Sequence, residues 1–314
     1  MRSAISDASP ALNHAGGRKA MDYAFYPGCS LDTVAREYRE SIEAVFTRLG
    51  VGLTELADWN CCGATALPST HPLTSRVIAA RNLALVGEEA GVRGLAVACS
   101  GCLVALRRAQ EALEAGDDVS EKMAAALNSI GRSPRSHVRM RHILEILVAD
   151  VGLEKLRSST SRPLSDLRVV CYYGCQIARP RNDFAPPELP TAMDELMAAV
   201  GAEVLRYDNK TRCCGAALIS TKKPVALRLI RELLDEARER HADAMVVLCP
   251  MCQLNLDAYQ EELRRGSEAS YRLPVLYFTQ LAGIALGIPA GRLGLRRTMV
   301  SPAKLLRDRL GVAI

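Results

Sequence analysis

Five cysteine positions are written twice in this 314-residue chain, at a period of about 150 residues, and account for ten of its eleven cysteines. Cys29 is followed by Cys61-Cys62-Gly63 and then by Cys99-Ser100-Gly101-Cys102. Cys175 is followed by Cys213-Cys214-Gly215 and then by Cys249-Pro250-Met251-Cys252. The offsets are 146 from Cys29 to Cys175, 152 from Cys61 to Cys213, and 150 for both cysteines of the CxxC. A fixed period of this kind marks two copies of one structural unit. The text between the cysteines repeats too: YAFYPGCSLD answers VVCYYGCQIA, DWNCCGA answers KTRCCGA, and LAVACSGCLVAL answers MVVLCPMCQLNL.

Each CxxC follows a short apolar run, residues 94–98 and 244–248, of the kind that makes a buried parallel strand. A helical pattern ending at a glycine (ESIEAVFTRLG; AMDELMAAVG) follows each lone cysteine, and a second one (RVIAARNLALVGEEAG; LRLIRELLDEARERHAD) follows each Cys-Cys pair. The order strand, Cys loop, helix, strand, CCG loop, helix, strand, CxxC therefore occurs twice. It predicts an α/β fold of two pseudo-symmetric repeats, each a small, mostly parallel sheet with flanking helices and a five-cysteine site at the carboxyl ends of its strands. The expected organisation is a flexible tail over 1–20, a first domain over 21–157, a linker over 158–166, and a second domain over 167–314 that ends in a helical tail.

Composition narrows the classes. Hydrophobic residues at 49% and charged residues at 24% are those of a globular chain, not of a disordered one. A diffuse net charge of +5 and 4% aromatics argue against nucleic acid as a partner. No apolar core marks the first twenty residues as an export signal, and the longest uncharged run, 273–291, carries Pro274 and Pro289. That run reads as a buried strand followed by a helix, so no transmembrane segment is expected. A cytoplasmic setting keeps thiols reduced, which makes the cysteines ligands or redox groups in place of disulfide staples.

Three kinds of chemistry suit such a set: zinc, a thiol redox couple, or an iron–sulfur cluster. Structural zinc takes four ligands in a tetrahedron, whereas each half here offers five. Adjacent cysteines point in different directions along an extended backbone, and reach different irons of a cluster more easily than one small ion. All-thiolate surroundings also favour iron–sulfur chemistry. Gly63 and Gly215 either let the backbone approach a bulky inorganic core or simply serve a turn.

The doubled C…CCG…CxxC pattern, from about Tyr23 to Ala282, resembles the cysteine-rich CCG-domain family, to which the B-subunit of heterodisulfide reductase belongs. The resemblance implies two [4Fe–4S] clusters of non-cubane form. One would be ligated by Cys29, Cys61, Cys62, Cys99 and Cys102, the other by Cys175, Cys213, Cys214, Cys249 and Cys252. It further implies a disulfide substrate cleaved between the clusters, and an oxidoreductase acting on sulfur groups within a complex. Two partners are implied as well, one ferredoxin-like with two clusters of its own, the other flavin-bearing. A small thiol, a disulfide or a lipoyl-bound sulfur is the substrate class. CCG domains also occur in relatives of glycolate oxidase and of succinate or fumarate dehydrogenases, which pass electrons toward quinone. The chain itself carries no flavin or nicotinamide motif and no CxxCxxCxxxCP run. It departs from the family pattern in an extra Cys171 and in a Cys214–Cys249 gap one residue shorter than usual.

Smaller features complete the reading. Tyr26, Tyr172 and Tyr173 flank the lone cysteines and either hydrogen-bond cluster sulfurs or pack in the core. Lys210 and Arg212 read as solvated loop charges, with offsetting cluster charge as the alternative. His71 and His142 lie in sequence near no cysteine group and read as satisfied surface or core histidines. Trp59 could shield the first site from water. Cys171 reads as a buried core thiol, with a supporting or alternative cluster ligand as the other reading. The basic C-terminal stretch 293–311 either docks on a partner or caps the second domain.

Overall fold

The computed structural model describes residues 21–86, 92–179, 188–265 and 271–314, so the expected tail over 1–20 lies outside the described residues. Two four-stranded sheets form, one from each half. The first comprises β1 (Asp22–Tyr26), β2 (Gly52–Glu55), β3 (Leu95–Val97) and β4 (Met140–His142), in the order β2-β1-β3-β4. The second comprises β5 (Arg168–Tyr172), β6 (Glu203–Val204), β7 (Ala244–Val247) and β8 (Val275–Tyr277), in the order β6-β5-β7-β8. Every pairing is parallel, with Ala24 opposite Leu95 and Val97 opposite His142 in the first sheet, and Val247 opposite Tyr277 in the second.

The central strands are apolar because helices cover both of their faces, which leaves no polar alternation along them. The Arg36–Leu49 helix buries Tyr38, Ser41, Ile42, Val45, Phe46 and Leu49, a three-to-four spacing, and ends at Gly50 with φ 76°. In the second half the Lys223–Glu239 helix buries Ala226, Ile230, Leu233, Leu234 and Ala237 on the same pattern. The uncharged run 273–291 forms β8 and the Phe278–Ala285 helix, as its apolar text predicts.

In both sheets the chain leaves the first strand toward one edge, then crosses back to place the third strand on its other side. That reversal between β1 and β3, and between β5 and β7, opens a crevice at the carboxyl ends of the strands. The two halves meet through the Arg36–Leu49 helix packed on the Phe278–Ala285 helix. Reciprocally, the Ala192–Ala199 helix packs on Leu153–Ser159. The expected linker is held against the second half: Ser161 and Arg162 donate their amides to the Ala285 carbonyl, and Leu164 is buried. The C-terminal stretch docks on its own chain. The amides of Met299 and Val300 donate to the Asp257 carboxylate, and Arg297 reaches Glu40 across the halves at 3.0 Å.

Candidate functional site

All three cysteine groups of each half lie at the crevice. Cys29 and Cys175 open short helices three residues beyond Tyr26 and Tyr172, and Cys99 and Cys249 cap the helices Ser100–Glu114 and Pro250–Ala258. The thiol pairing is the same in both halves. Cys62 Sγ lies 3.2 Å from Cys102 Sγ, and Cys214 Sγ 3.5 Å from Cys252 Sγ. Cys61 meets Cys29 at 3.8 Å, and Cys213 lies beside Cys175. The shorter Cys214–Cys249 gap has thus left the second set's pairing intact. Across the halves, the Cys99 and Cys249 thiols lie close enough to shift each other's proton affinity, Cys99 upward and Cys249 downward. Cys29, Cys61 and Cys213 are exposed, while Cys62, Cys99, Cys102, Cys214, Cys249 and Cys252 are buried. Each site is therefore a deep thiol floor with a solvent-facing rim.

Convergence itself sets the proton states. Cys62 accepts from Cys102 and Cys61, which holds its thiol down to about 3. Cys213 accepts from Cys175 and is held to about 6. Cys249, with Cys252 and Cys99 around it, is pushed down, while these thiolate neighbours and burial push Cys102 and Cys252 up. Thiolate, the form that binds metal, is thus available in each half.

The glycine of each CCG turn has positive φ, 70° at Gly63 and 75° at Gly215. Its amide donates back to the first cysteine of the pair, at 3.5 and 3.3 Å. Their expected role is corrected here. A Cβ on Gly63 would strike Ile78, and one on Gly215 would strike the Ala226 backbone, so these glycines make room for the following helix. The glycines that make room at the thiols are Gly28 and Gly174, with φ 72° and 74°. A Cβ there would sit 3.0 Å from Cys102 Sγ or Cys252 Sγ. The signal for them is present in the repeated YPGC and YYGC.

The tyrosines hold loops in place of sulfurs. Tyr26 Oη donates to the Asn60 carbonyl at 2.8 Å, and Tyr172 Oη to the Arg212 carbonyl at 2.6 Å, in each case the residue before the Cys-Cys pair. Tyr173 Oη donates to Asp194 and accepts the Met193 amide. Lys210 is not a solvated charge: it is buried, pairs with Asp194 and donates to the Pro190 carbonyl. Arg212 is half-exposed and paired with Glu232. Trp59 packs edge-on to Tyr26 and donates to Glu55. Cys171 is fully buried on β5, as a core thiol, and burial pushes it up. His71 is exposed. His142, by contrast, is buried at the site: its Nε2–H donates to the Ala98 carbonyl at 3.0 Å and its Nδ1 accepts the Leu144 amide. Burial holds this imidazole neutral, down to about 4.

The family model of the CCG cysteine-rich domain matches residues 23–107 and 169–257, one copy in each half. The chain belongs to this CCG family. This chain is 35% identical over 286 residues to the membrane anchor subunit of the 8-methylmenaquinol:fumarate reductase of Wolinella succinogenes, covering 90% of this chain and 99% of that one. It is 31% identical over 272 residues to a heterodisulfide reductase B-subunit-like protein of Archaeoglobus profundus, covering 84% and 90%. It is 30% identical over 284 residues to the B-subunit of the ferredoxin:CoB-CoM heterodisulfide reductase of Methanosarcina mazei, covering 89% and 94%. Among solved structures, a hypothetical protein from Helicobacter pylori shares the fold, with a TM-score of 0.72 at 12% identity. That match covers 90% of this chain and about half, 53%, of the other. Among the described residues of this chain no helix is long and apolar enough to cross a membrane.

The residues present fit an iron–sulfur group. Five thiols converge in each half, the side-chain-free Gly28 and Gly174 border them, and a buried hydroxyl next to Cys99 in the chain, Ser100 Oγ, has no partner among the described residues. Those described residues include no group of three or more His, Cys, Asp or Glu arranged around a single metal ion.

Proposed function

We infer that this chain is the iron–sulfur subunit of a heterodisulfide reductase-like complex, exchanging electrons with a disulfide- or persulfide-type sulfur substrate. The observation that carries this reading is the meeting of two complete five-thiol sets at Cys99 and Cys249. Cleaving a disulfide takes two electrons and two protons and yields two thiols, so two adjacent one-electron centres match its stoichiometry. When bound, a [4Fe–4S] cluster of non-cubane form in each half would supply one of those electrons. Cys29, Cys61, Cys62, Cys99 and Cys102 would hold the first, and Cys175, Cys213, Cys214, Cys249 and Cys252 the second.

The chain's own groups divide the remaining work. The buried cysteines and the strands beneath them keep water from the floor of each site. The exposed sulfurs of Cys29, Cys61 and Cys213 mark the rim at which a small sulfur compound or a lipoyl arm would approach. Tyr26 and Tyr172 fix the Cys-Cys turns through their carbonyls. The heterodisulfide reductase relatives are named as single subunits of larger enzymes. By that analogy the partners are a two-cluster ferredoxin-like protein and a flavin-bearing one, in the cytoplasm.

A second reading has its own support, the 35% identity to a fumarate reductase subunit over nearly all of that subunit's length. In it the same two centres pass electrons between a flavin-bearing partner and a quinone. The first measurement is iron, acid-labile sulfide and zinc per chain after anaerobic purification. About eight irons and eight sulfides follow from two four-iron clusters, and zinc without sulfide would sink both readings. The complex is then assayed with disulfide and persulfide acceptors against quinone analogues. Thiol release without quinone turnover supports the first reading, and quinone turnover alone replaces it with the second.

A further inference from the structure

The two CxxC turns differ at the first of the two positions between their cysteines: Ser100 in the first, Pro250 in the second. Both residues take the first helical position after an extended N-cap cysteine, so they are structural equivalents. Ser100 is 1% exposed, and its Oγ has no hydrogen-bond partner among the described residues. A buried hydroxyl is rarely left unpaired, because it has lost water and gained nothing in return. At the first helical position the amide N–H has no intrahelical acceptor either. Ser100 thus brings two donors to a buried place beside Cys99, where Pro250 brings neither a hydroxyl nor an N–H. The acceptors missing from the chain at this point are those that a sulfur-rich group held by Cys99 and Cys102 would provide.

We propose that Ser100 tunes the first-half cluster, its hydroxyl donating to a sulfur of that group and raising its reduction potential. Reduction puts added negative charge on cluster sulfurs, and a donor aimed at one of them stabilises the reduced form. Backbone donors do not create this bias. Main-chain amides serve both sites, those of Gly63 and Gly215 donating to the first cysteine of each pair. The hydroxyl is the first half's own contribution, and it makes that half a better electron acceptor than its thiols and amides alone would make it. This inference rests on the iron–sulfur reading above and is independent of whether the substrate is a disulfide or a quinone.

The test is an EPR-monitored redox titration of the anaerobically purified full chain, with iron and sulfide measured on each variant. Two reduction waves are expected for the wild type. S100A should move one wave to lower potential and leave the other in place, whereas S100T, which keeps the hydroxyl, should leave both at their wild-type positions. S100P, which installs the residue that the second half already carries at a helix start, should reproduce the S100A shift if S100A itself folds poorly. Both waves unmoved in S100A or S100P at full iron content would overturn the proposal. So would S100T displaced as far as S100A, which would make packing the cause. A wild-type chain that holds no iron fails the cluster reading itself, a result distinct from either.

Discussion

The carbonyl just ahead of each CxxC, Ala98 in the first half and Leu248 in the second, is buried at the end of a central strand and needs a donor. The first half supplies one from within. His142, at the end of β4 and in register with Val97, donates to Ala98 at 3.0 Å. In the second half the register equivalent is Tyr277, whose hydroxyl has no partner among the described residues. There the donor comes from the other half: Tyr38 Oη, on the Arg36–Leu49 helix, donates to Leu248 at 3.0 Å while its ring stacks on Tyr277 at 3.9 Å and 6°. Among the described residues nothing mirrors that reach. Counting back from the glycines that end the two helices, Gly50 and Gly201, Tyr38 corresponds to Leu189, which is exposed and lies ahead of the shorter Ala192–Ala199 helix. Duplication has kept the ten thiols and the two loop-holding tyrosines in step, but not the support behind them. The first site is self-contained; the second leans on its neighbour.

The largest effects should come from the thiols themselves, because these test whether the halves are separable at all. Cys62→Ala and Cys214→Ala each remove a buried thiol that pairs with the second cysteine of a CxxC. Each variant should lose about half of the iron and sulfide and one reduction wave. Cys214→Ala should leave the self-contained first site loaded. If it empties both sites, the contrast between the halves is wrong, and the contact between Cys99 and Cys249 dominates loading.

An intermediate effect separates the buried histidine from the helix that crosses the interface. Burial holds His142 down to about 4 against an ordinary 6.5. The unfolded chain therefore takes up this proton first, so the stability present above about pH 6.5 is lost as pH falls toward 4, by roughly 3 kcal/mol in all. Glu37, buried on the Arg36–Leu49 helix, has the opposite sign: burial raises it to about 7 against an ordinary 4.5. Its contribution is fully present below 4.5 and is lost as pH rises through 7. Between about pH 4.5 and 6.5 the two slopes oppose each other. In urea unfolding across this window, Glu37→Gln should expose a steeper loss in acid, and His142→Gln should reverse the trend. Identical profiles for the wild type and both variants would remove the titrating histidine from the account.

How far these features were legible depends on where each contact lies in the chain. The sheets, the parallel order and the ten thiols follow from a period of about 150 residues and apolar runs that end at cysteines, all of which are local text. Gly28 and Gly174 are equally legible in YPGC and YYGC, whereas the CCG text points to Gly63 and Gly215 for the close approach. Lys210 reads as a loop charge because its partner, Asp194, sits 16 residues earlier on a helix that the text does not connect to it. His142 lies 44 residues from the carbonyl it caps, and Tyr38 lies 210 residues from Leu248. No periodicity encodes such pairings: the first arises only once β4 joins β3 in the sheet, and the second only when the two finished sheets are brought together. The Ser100–Pro250 difference is visible in the text, yet it acquires meaning only from burial.

The smallest effect is also the one that sharpens the comparison most. Tyr38→Phe keeps the ring that stacks on Tyr277 and packs edge-on to Phe278. It removes only the hydroxyl that reaches Leu248. A buried carbonyl left without a donor costs about 1–3 kcal/mol, here within an interface that also carries apolar packing, the Ser41–Thr279 hydrogen bond at 2.7 Å and the Arg297–Glu40 pair. The change should lower the urea midpoint modestly. It should also loosen the Cys249–Cys252 turn, so that the iron lost on dilution or mild chelation comes from the second-half wave first. His142→Leu makes the matching change in the first half, and its loss should fall on the first-half wave alone, because no described residue of the second half supports Ala98. A Tyr38→Phe chain that sheds iron equally from both waves would mean that the interface behaves as one unit, and the second half's dependence on Tyr38 would then be no more than a local hydrogen bond.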